Sequence, residues 1–337
     1  MRGSSRGFSA FVLASVFTAA SITLGLVSAS PLRAAAATSS VPPVVSSDTH
    51  HDTSRPLHSY KPGTTRTTTH TVKHKAPGPQ GPRSADTSGG LAPSANAPAA
   101  NNNFDGVPDN SGVIPSDSTG AAGTTQFFEI VNAQIAVYNK SGGLLLGPEN
   151  TNTLWSGFGG SCQSNNDGDG TVQWDTLSQR WVVEQLEVST QPFYVCVAVS
   201  TSADATGSWN RYSFQYADFP DYPKLGVWPD GYYLTVNRFN ASGTTGLGEE
   251  TCALNRAAML TGAAASSQCF SLNSSGENTV LPATLNGTTP PAAGTPEWLV
   301  GISPTTSNAL AYWQLHVDWN TPANSTLSAK QSLASRS

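Results

Sequence analysis

Six consecutive residues, Asn165-Asn166-Asp167-Gly168-Asp169-Gly170, hold the densest run of metal-ligating side chains in the chain. Oxygen-bearing side chains stand at alternate positions 165, 167 and 169, and glycine follows where a tight loop has to turn. Such a loop directs every second side chain inward, and a hard cation such as Ca²⁺ collects about six to eight oxygens. The spacing predicts a calcium loop with Asn165, Asp167, Asp169 and Asp175 as ligands. Asp175 stands at the eleventh position of that loop; the twelfth, where a helix-flanked EF-hand carries glutamate, is Thr176. Asn, Asp and Gly also favour turns that bind nothing, so an ion-free Asx-rich turn is the competing reading.

The four cysteines, Cys162, Cys196, Cys252 and Cys269, all follow residue 104. An even number in an exported chain implies two disulfides, with three possible connectivities. Pairing of sequence neighbours, Cys162 with Cys196 and Cys252 with Cys269, is the expectation. A zinc site of four thiolates is the alternative, and no Cys-x-x-Cys pair supports it.

Catalytic patterns are sparse. There is neither a His-Glu-x-x-His nor a Gly-x-Ser-x-Gly segment, and His316 alternates with Leu315 and Val317 as a strand residue does. Two acid pairs, Glu184/Glu187 and Asp218/Asp221, have the residue types of a glycosidase. Period-two geometry puts 184 and 187 on opposite faces of a strand, and Pro220 makes the second pair a turn. Trp155, Trp228, Trp313 and Trp319 are of the type that stacks on sugar rings, although packing within sheets is their ordinary role.

The elements that must carry these residues are strands. Four apolar runs, 171–174, 181–186, 193–200 and 209–216, are rich in Val, Trp, Tyr and Phe and end in Gly, Asp, Asn or Ser clusters. Runs at 225–228 and 232–239 restart the pattern. The interval from Val172 to Val227, 55 residues, is about one four-stranded propeller blade with its loop. An opening meander is expected over 126–138 and 144–146, a second blade over 225–272, a loose connection over 273–295, and a last strand pair over 297–302 and 309–319. Only 255–260 has a helical signal.

The segment Ser202-Ala203-Asp204-Ala205-Thr206-Gly207-Ser208-Trp209 resembles the Asp-box of sialidases and related propellers, with its glycine displaced by one place. The resemblance implies a structural turn in which Ser202, Asp204, Gly207 and Trp209 hold a blade together. The phrases NTLWSGFGGSC, NDGDG, DYPKLGVWPDGYYLTVNRF and HVDWNTPANST, with Asp117–Gly123, resemble a family of large secreted bacterial β-propeller-like proteins over about 105–327. That resemblance carries no activity with it. It implies that the propeller here is truncated.

Along the whole chain, residues 1–37 read as a signal peptide: Arg2 and Arg6 precede an uncharged apolar stretch and a small-residue run. Residues 38–103 hold five of the six histidines and little apolar material, as a disordered linker does. Residues 104–328 form the globular part, and 329–337 a polar tail. From 104 onward eight basic side chains face nineteen acids, a net −11, which argues against nucleic acid as partner. The expected architecture is all-β and propeller-like, with three to four antiparallel four-stranded blades and two open sheet edges, at 126–138 and 309–319, prone to self-association. Two functions fit a secreted chain of this kind, extracellular or in the cell envelope. One is a calcium-stabilised binding or surface-interaction module for an extracellular glycan or cell-surface polymer. The other is a glycan-active hydrolase of sialidase-like build. Sialidases cluster three arginines, and before the tail only Arg180, Arg211, Arg238 and Arg256 are available. No transmembrane segment is expected after signal cleavage.

Overall fold

The structure, a computed structural model, describes residues 42–60, 102–108, 115–272, 278–302 and 309–334. The expected signal peptide lies outside the described residues. The described chain is all-β and opens with two short strands, β1 (Val44–Ser47) and β2 (His50–Thr53).

Four antiparallel sheets follow in sequence order. The first contains β3 (Thr119–Ala122), β4 (Gln126–Val131), β5 (Gln134–Asn139) and β6 (Leu144–Asn150). A short helix, α1 (Gly160–Ser164), leads into the second: β7 (Thr171–Asp175), β8 (Arg180–Glu187), β9 (Phe193–Ser200) and β10 (Trp209–Tyr216). The third is β11 (Phe219–Val227), β12 (Tyr232–Phe239), β13 (Gly246–Leu254) and β14 (Ser266–Leu272). Helix α2 (Arg256–Thr261) links its last two strands, capped by the Asn255 side chain and closed by left-handed Gly262. The fourth is β15 (Asn278–Pro282), β16 (Glu297–Ile302), β17 (Ala309–His316), β18 (Thr326–Leu327) and β19 (Gln331–Ala334).

The sheets are layered, and period-two alternation decides which side chain meets which neighbour. From β8, Trp181 and Val183 join Phe128, Ile130 and Ile135 of the first sheet, while Val182 faces Leu225, Tyr232 and Leu234 of the third. From β12, Leu234 faces back and Tyr233 forward, onto Leu299, Ala311 and Trp313 of the fourth. The second sheet is therefore covered on both faces, which is why β8 and β9 are buried almost throughout rather than at alternate residues. In the fourth sheet β17 alternates strictly between buried and partly or fully exposed positions, as a sheet with one covered face does. The first strands of successive sheets, β3, β7, β11 and β15, pack against one another in series.

Three expectations change. Part of the stretch read as a linker is built into the sheets: β1 pairs with β14, β2 with β10, and Leu57 is buried in the first core, while 61–101 lie outside the described residues. Residues 42–60 thus form a strap across the outer edges of the second and third sheets. Its Val44 and Val45 are mostly exposed, so backbone pairing rather than apolar content holds it, and composition is blind to that. Nor is 329–337 merely a tail, since Gln331–Ala334 pairs with β17. The strands expected on free edges are consequently interior: β4 and β5 lie within the first sheet, and β17 is flanked by β16 and by β18 and β19. A fourth difference is smaller: β15, the first strand of the last sheet, falls inside the stretch read as a loose connection.

Candidate functional site

The loop from Asn165 to Gly170 divides its side chains between two places. Asp167 caps the turn after β8, accepting from the amides of Val188 (2.8 Å) and Ser189 (2.7 Å) and from the Ser189 hydroxyl (2.5 Å). Asn165 bonds to Glu187 on that same side. Asp169 turns away from them, because Gly168 and Asp169 both take left-handed conformations (φ +101° and +52°). Asp175 is not with them at all. It sits at the far end of β7, roughly 13 Å along that strand, where both its oxygens hold the Arg256 guanidinium (2.7 and 3.0 Å). The structure therefore does not gather Asn165, Asp167, Asp169 and Asp175 in one pocket.

Asp169 instead joins carboxylates that the sequence reading left apart. Asp117, Asp169 and Asp221 recur at a constant interval (117, 169, 221), each at or just before the first strand of its own sheet. The Asp117 and Asp169 carboxyl groups are within hydrogen-bonding reach of each other. Burial above all, then the charges of Asp117 and Asp221, lifts Asp169 to about 7 against the pull of Lys224. Glu184, opposite Thr171 in the β7–β8 pairing, takes that hydroxyl at 2.7 Å, and burial, with Asp169 adding its charge, lifts it to about 8. Asp169 is 3% exposed and Glu184 0%, and each has one oxygen (Oδ2, Oε2) with no hydrogen-bond partner among the described residues. Lys224 donates to the Pro223 carbonyl and lies 3.7 Å over the Tyr222 ring. The signal that could have found this group is its 52-residue spacing, which strand patterns alone do not display.

Neither expected acid pair faces itself. Glu184 turns to Asp169 and Glu187 to Asp167, while Asp218 lies 3.5 Å from Arg238 and Asp221 belongs to the junction group. Burial, then the Asp167 charge, pushes Glu187 up to about 10. Glu250 lies near Cys252 and Cys269, but those two sulfurs are bonded to each other and offer no thiolate to a metal.

A buried acid elsewhere makes a pH test. Glu297, first residue of β16, is fully buried, and burial plus the charge of Asp230 lifts it to about 9 despite the amides of Ala283 and Trp298. The native chain thus keeps a proton that the unfolded chain loses at about 4.3, so stability declines as pH rises between those values. Glu297→Gln is expected to stabilise by about 2–4 kcal/mol near pH 8 and to change little near pH 4. Urea midpoints at the two pH values check this; equal gains at both would contradict it.

The turn between β9 and β10 carries Ser202, Asp204, Gly207 and Trp209. Asp204 Oδ1 accepts from the Thr206 amide (2.9 Å) and hydroxyl (2.8 Å), the Ser202 hydroxyl takes the Asp204 amide, and the Gly207 amide reaches the Asp204 carbonyl. Trp209 is fully buried with its indole N–H on the Ala205 carbonyl. Gln126 of β4 bonds both Asp204 and Ala205, which fastens the first sheet to the second. Those hydrogen bonds hold the turn and the junction between the two sheets.

Both disulfides pair sequence neighbours, Cys162–Cys196 with Cα atoms 6.0 Å apart and Cys252–Cys269 at 4.0 Å. The first ties α1 to β9 beside a cleft of about 320 Å³ lined by Thr49, His50, Phe158, Ser161, Tyr194 and Ser213. The His50 and Phe158 rings lie 4.6 Å apart, and Arg211 sits 5.3 Å over Phe158. Gly159 and Gly160 have open space where a Cβ would stand, so side chains do not fill the cleft. Among the described residues no carboxylate lines it. Among the described residues no helix is long and apolar enough to cross a membrane. No protein-family model matches this chain, and no curated protein or solved structure is significantly similar to it.

Proposed function

We propose that the chain is a secreted, disulfide-bonded binding module, a propeller-like arc of four blades that takes an extracellular glycan or cell-surface polymer in the cleft between α1, β2 and β9. The observation that carries this reading is the cleft's lining: aromatic rings (His50, Phe158, Tyr194) beside hydroxyls (Thr49, Ser161, Ser213), the chemistry that stacks on and hydrogen-bonds to sugars. The serial packing of β3, β7, β11 and β15 supports the propeller-like arrangement, with each sheet extending outward from its first strand. Two disulfides and the leader-like first residues support export.

The hydrolase reading is weaker on two counts. Among the described residues the cleft has no facing carboxylates. The four arginines are also committed elsewhere: Arg211 to Asp52, Arg256 to Asp175, Arg238 to Asp218 and Glu250, and Arg180 to the carbonyls of Ser178 and Gln179. A glycan-array screen of the purified protein is expected to return a binder whose affinity falls about tenfold, or ~1.4 kcal/mol, in Tyr194→Ala. A thermal melt of the variant serves as folding control. Unchanged binding in that variant, or release of reducing sugar from the bound glycan, would count against the proposal.

A further inference from the structure

We propose that Asp117, Asp169 and Asp221, one from each of three successive sheets, bind a hard divalent cation of the calcium class at the junction of those sheets, with buried Glu184 as fourth carboxylate. The site is separate from the cleft and does not rest on the binding reading.

The first support is crowding of like charge. The Asp117 carboxyl neighbours that of Asp169 and raises its pKa, and an ionised carboxylate has no hydrogen to donate to another. A proton or a cation between the two removes that conflict. The second support is what surrounds the pair. Asp169 Oδ2 and Glu184 Oε2 are buried without a hydrogen-bond partner. So is the amide oxygen of Asn132, 2% exposed, which a Cβ on Gly168 would strike. Asn132 holds the Pro115 carbonyl with its amide nitrogen, and so links the turn before Asp117 to the loop before Asp169. Buried oxygens left unmatched in this way are the donor set that calcium-class ions take, and their desolvation is otherwise a loss of stability.

Charge points the same way. Among the described residues Lys224 is the ammonium that opposes the acidity of Asp169 and Glu184, one positive charge against two buried carboxylates. A divalent ion offsets more of that excess than a second proton does at neutral pH. The geometry is also repeated: Asp117 and Asp169 both take left-handed backbone (φ +42° and +52°), and Tyr222, beside Asp221, does so too (φ +53°). Acids brought by three sheets to one junction are placed to be clamped by one ion. The competing arrangement is a proton shared by Asp117 and Asp169 beside Lys224.

The test uses the intact protein stripped with chelator at about pH 8, where ordinary carboxyls are ionised. With about 1 mM Ca²⁺, saturating for a site of moderate affinity, melting is expected to rise by roughly 5–10 °C. Equilibrium dialysis should find one ion per chain. Asp169→Asn should abolish both effects while melting, in chelator, at or above the wild-type temperature, because one of the crowded charges is gone. Asp117→Asn, at a less buried position, provides the same readout should Asp169→Asn not fold. Asp167→Asn, on the other side of the loop, should lose stability yet keep its calcium response. A wild-type protein that neither binds Ca²⁺ stoichiometrically nor shifts its melting would overturn the proposal, as would a full calcium response in the Asp169 and Asp117 variants.

Discussion

Asp175→Ala is expected to destabilise the protein by about 3–5 kcal/mol, the range for stripping one partner from a buried ion pair. The carboxylate is fully buried at the end of β7. It receives Nε and Nη2 of Arg256, the Tyr232 hydroxyl at 3.0 Å, and the amides of Leu177 and Ser178 at 3.1 Å each. Arg256 opens α2 and Tyr232 opens β12, so one side chain locks the β7–β8 turn to the third sheet. Alanine strands a guanidinium that is only 13% exposed and leaves two amides and a phenol unmet. Burial alone would raise the Asp175 pKa, but the Arg256 and Ser178 contacts outweigh it and hold it below the ordinary value. Its contribution is therefore complete above about pH 4, the unfolded value, and is lost as pH falls through the depressed native one. Urea unfolding near neutral pH measures the loss; a change under about 1 kcal/mol would mean that water replaces the pair at little cost.

The second large effect falls on the strap. Asp52→Ala is expected to cost about 2–3 kcal/mol, discounted from the buried-pair range because the Asp52 side chain is 31% exposed while that of Arg211 is 2%. Arg211 is held bidentately by Asp52 (2.8 and 2.6 Å) and by the carbonyls of Leu154 and Ser156 (3.0 Å each). Without Asp52 the guanidinium keeps its carbonyls but loses its counter-charge, and the β2–β10 pairing loses its side-chain anchor. The same change should weaken ligand binding in the cleft, since His50 reaches the cleft from this strap. Asp52→Ala combined with Arg211→Met should recover most of the stability, because the uncompensated charge goes with its partner. A double variant no better than Asp52→Ala would show that the strap depends on something other than this pair.

Much of the β framework was legible from residue order because it is local. The runs at 171–174, 181–186, 193–200 and 209–216 became β7 to β10 with ends moved by at most one residue, and 232–239 became β12 unchanged. Side-chain type and turn residues within one hairpin suffice for that. The cysteine pairing was legible for a related reason: Cys252 and Cys269 stand directly opposite in the β13–β14 register, a consequence of adjacent strands.

Residue order alone therefore specifies β7 to β10, β12 and the two disulfides, all of which follow from short-range pattern. Tertiary structure decided the rest. The strap over 42–60 was illegible because strands that complete a sheet edge are held by main-chain hydrogen bonds, which Ser, Thr and His supply as well as Val. The fate of the acidic loop was illegible because alternation assumes one backbone conformation throughout. Left-handed Gly168 and Asp169 break it, sending Asp167 to the turn after β8 and Asp169 to Asp117 and Asp221. Asp175 is near the loop in sequence, yet β7 carries it roughly 13 Å along the strand, to an arginine 81 residues along the chain. Carboxylates from three sheets converge only when those sheets pack, and packing is a property of the assembled layers that no single stretch of the chain contains.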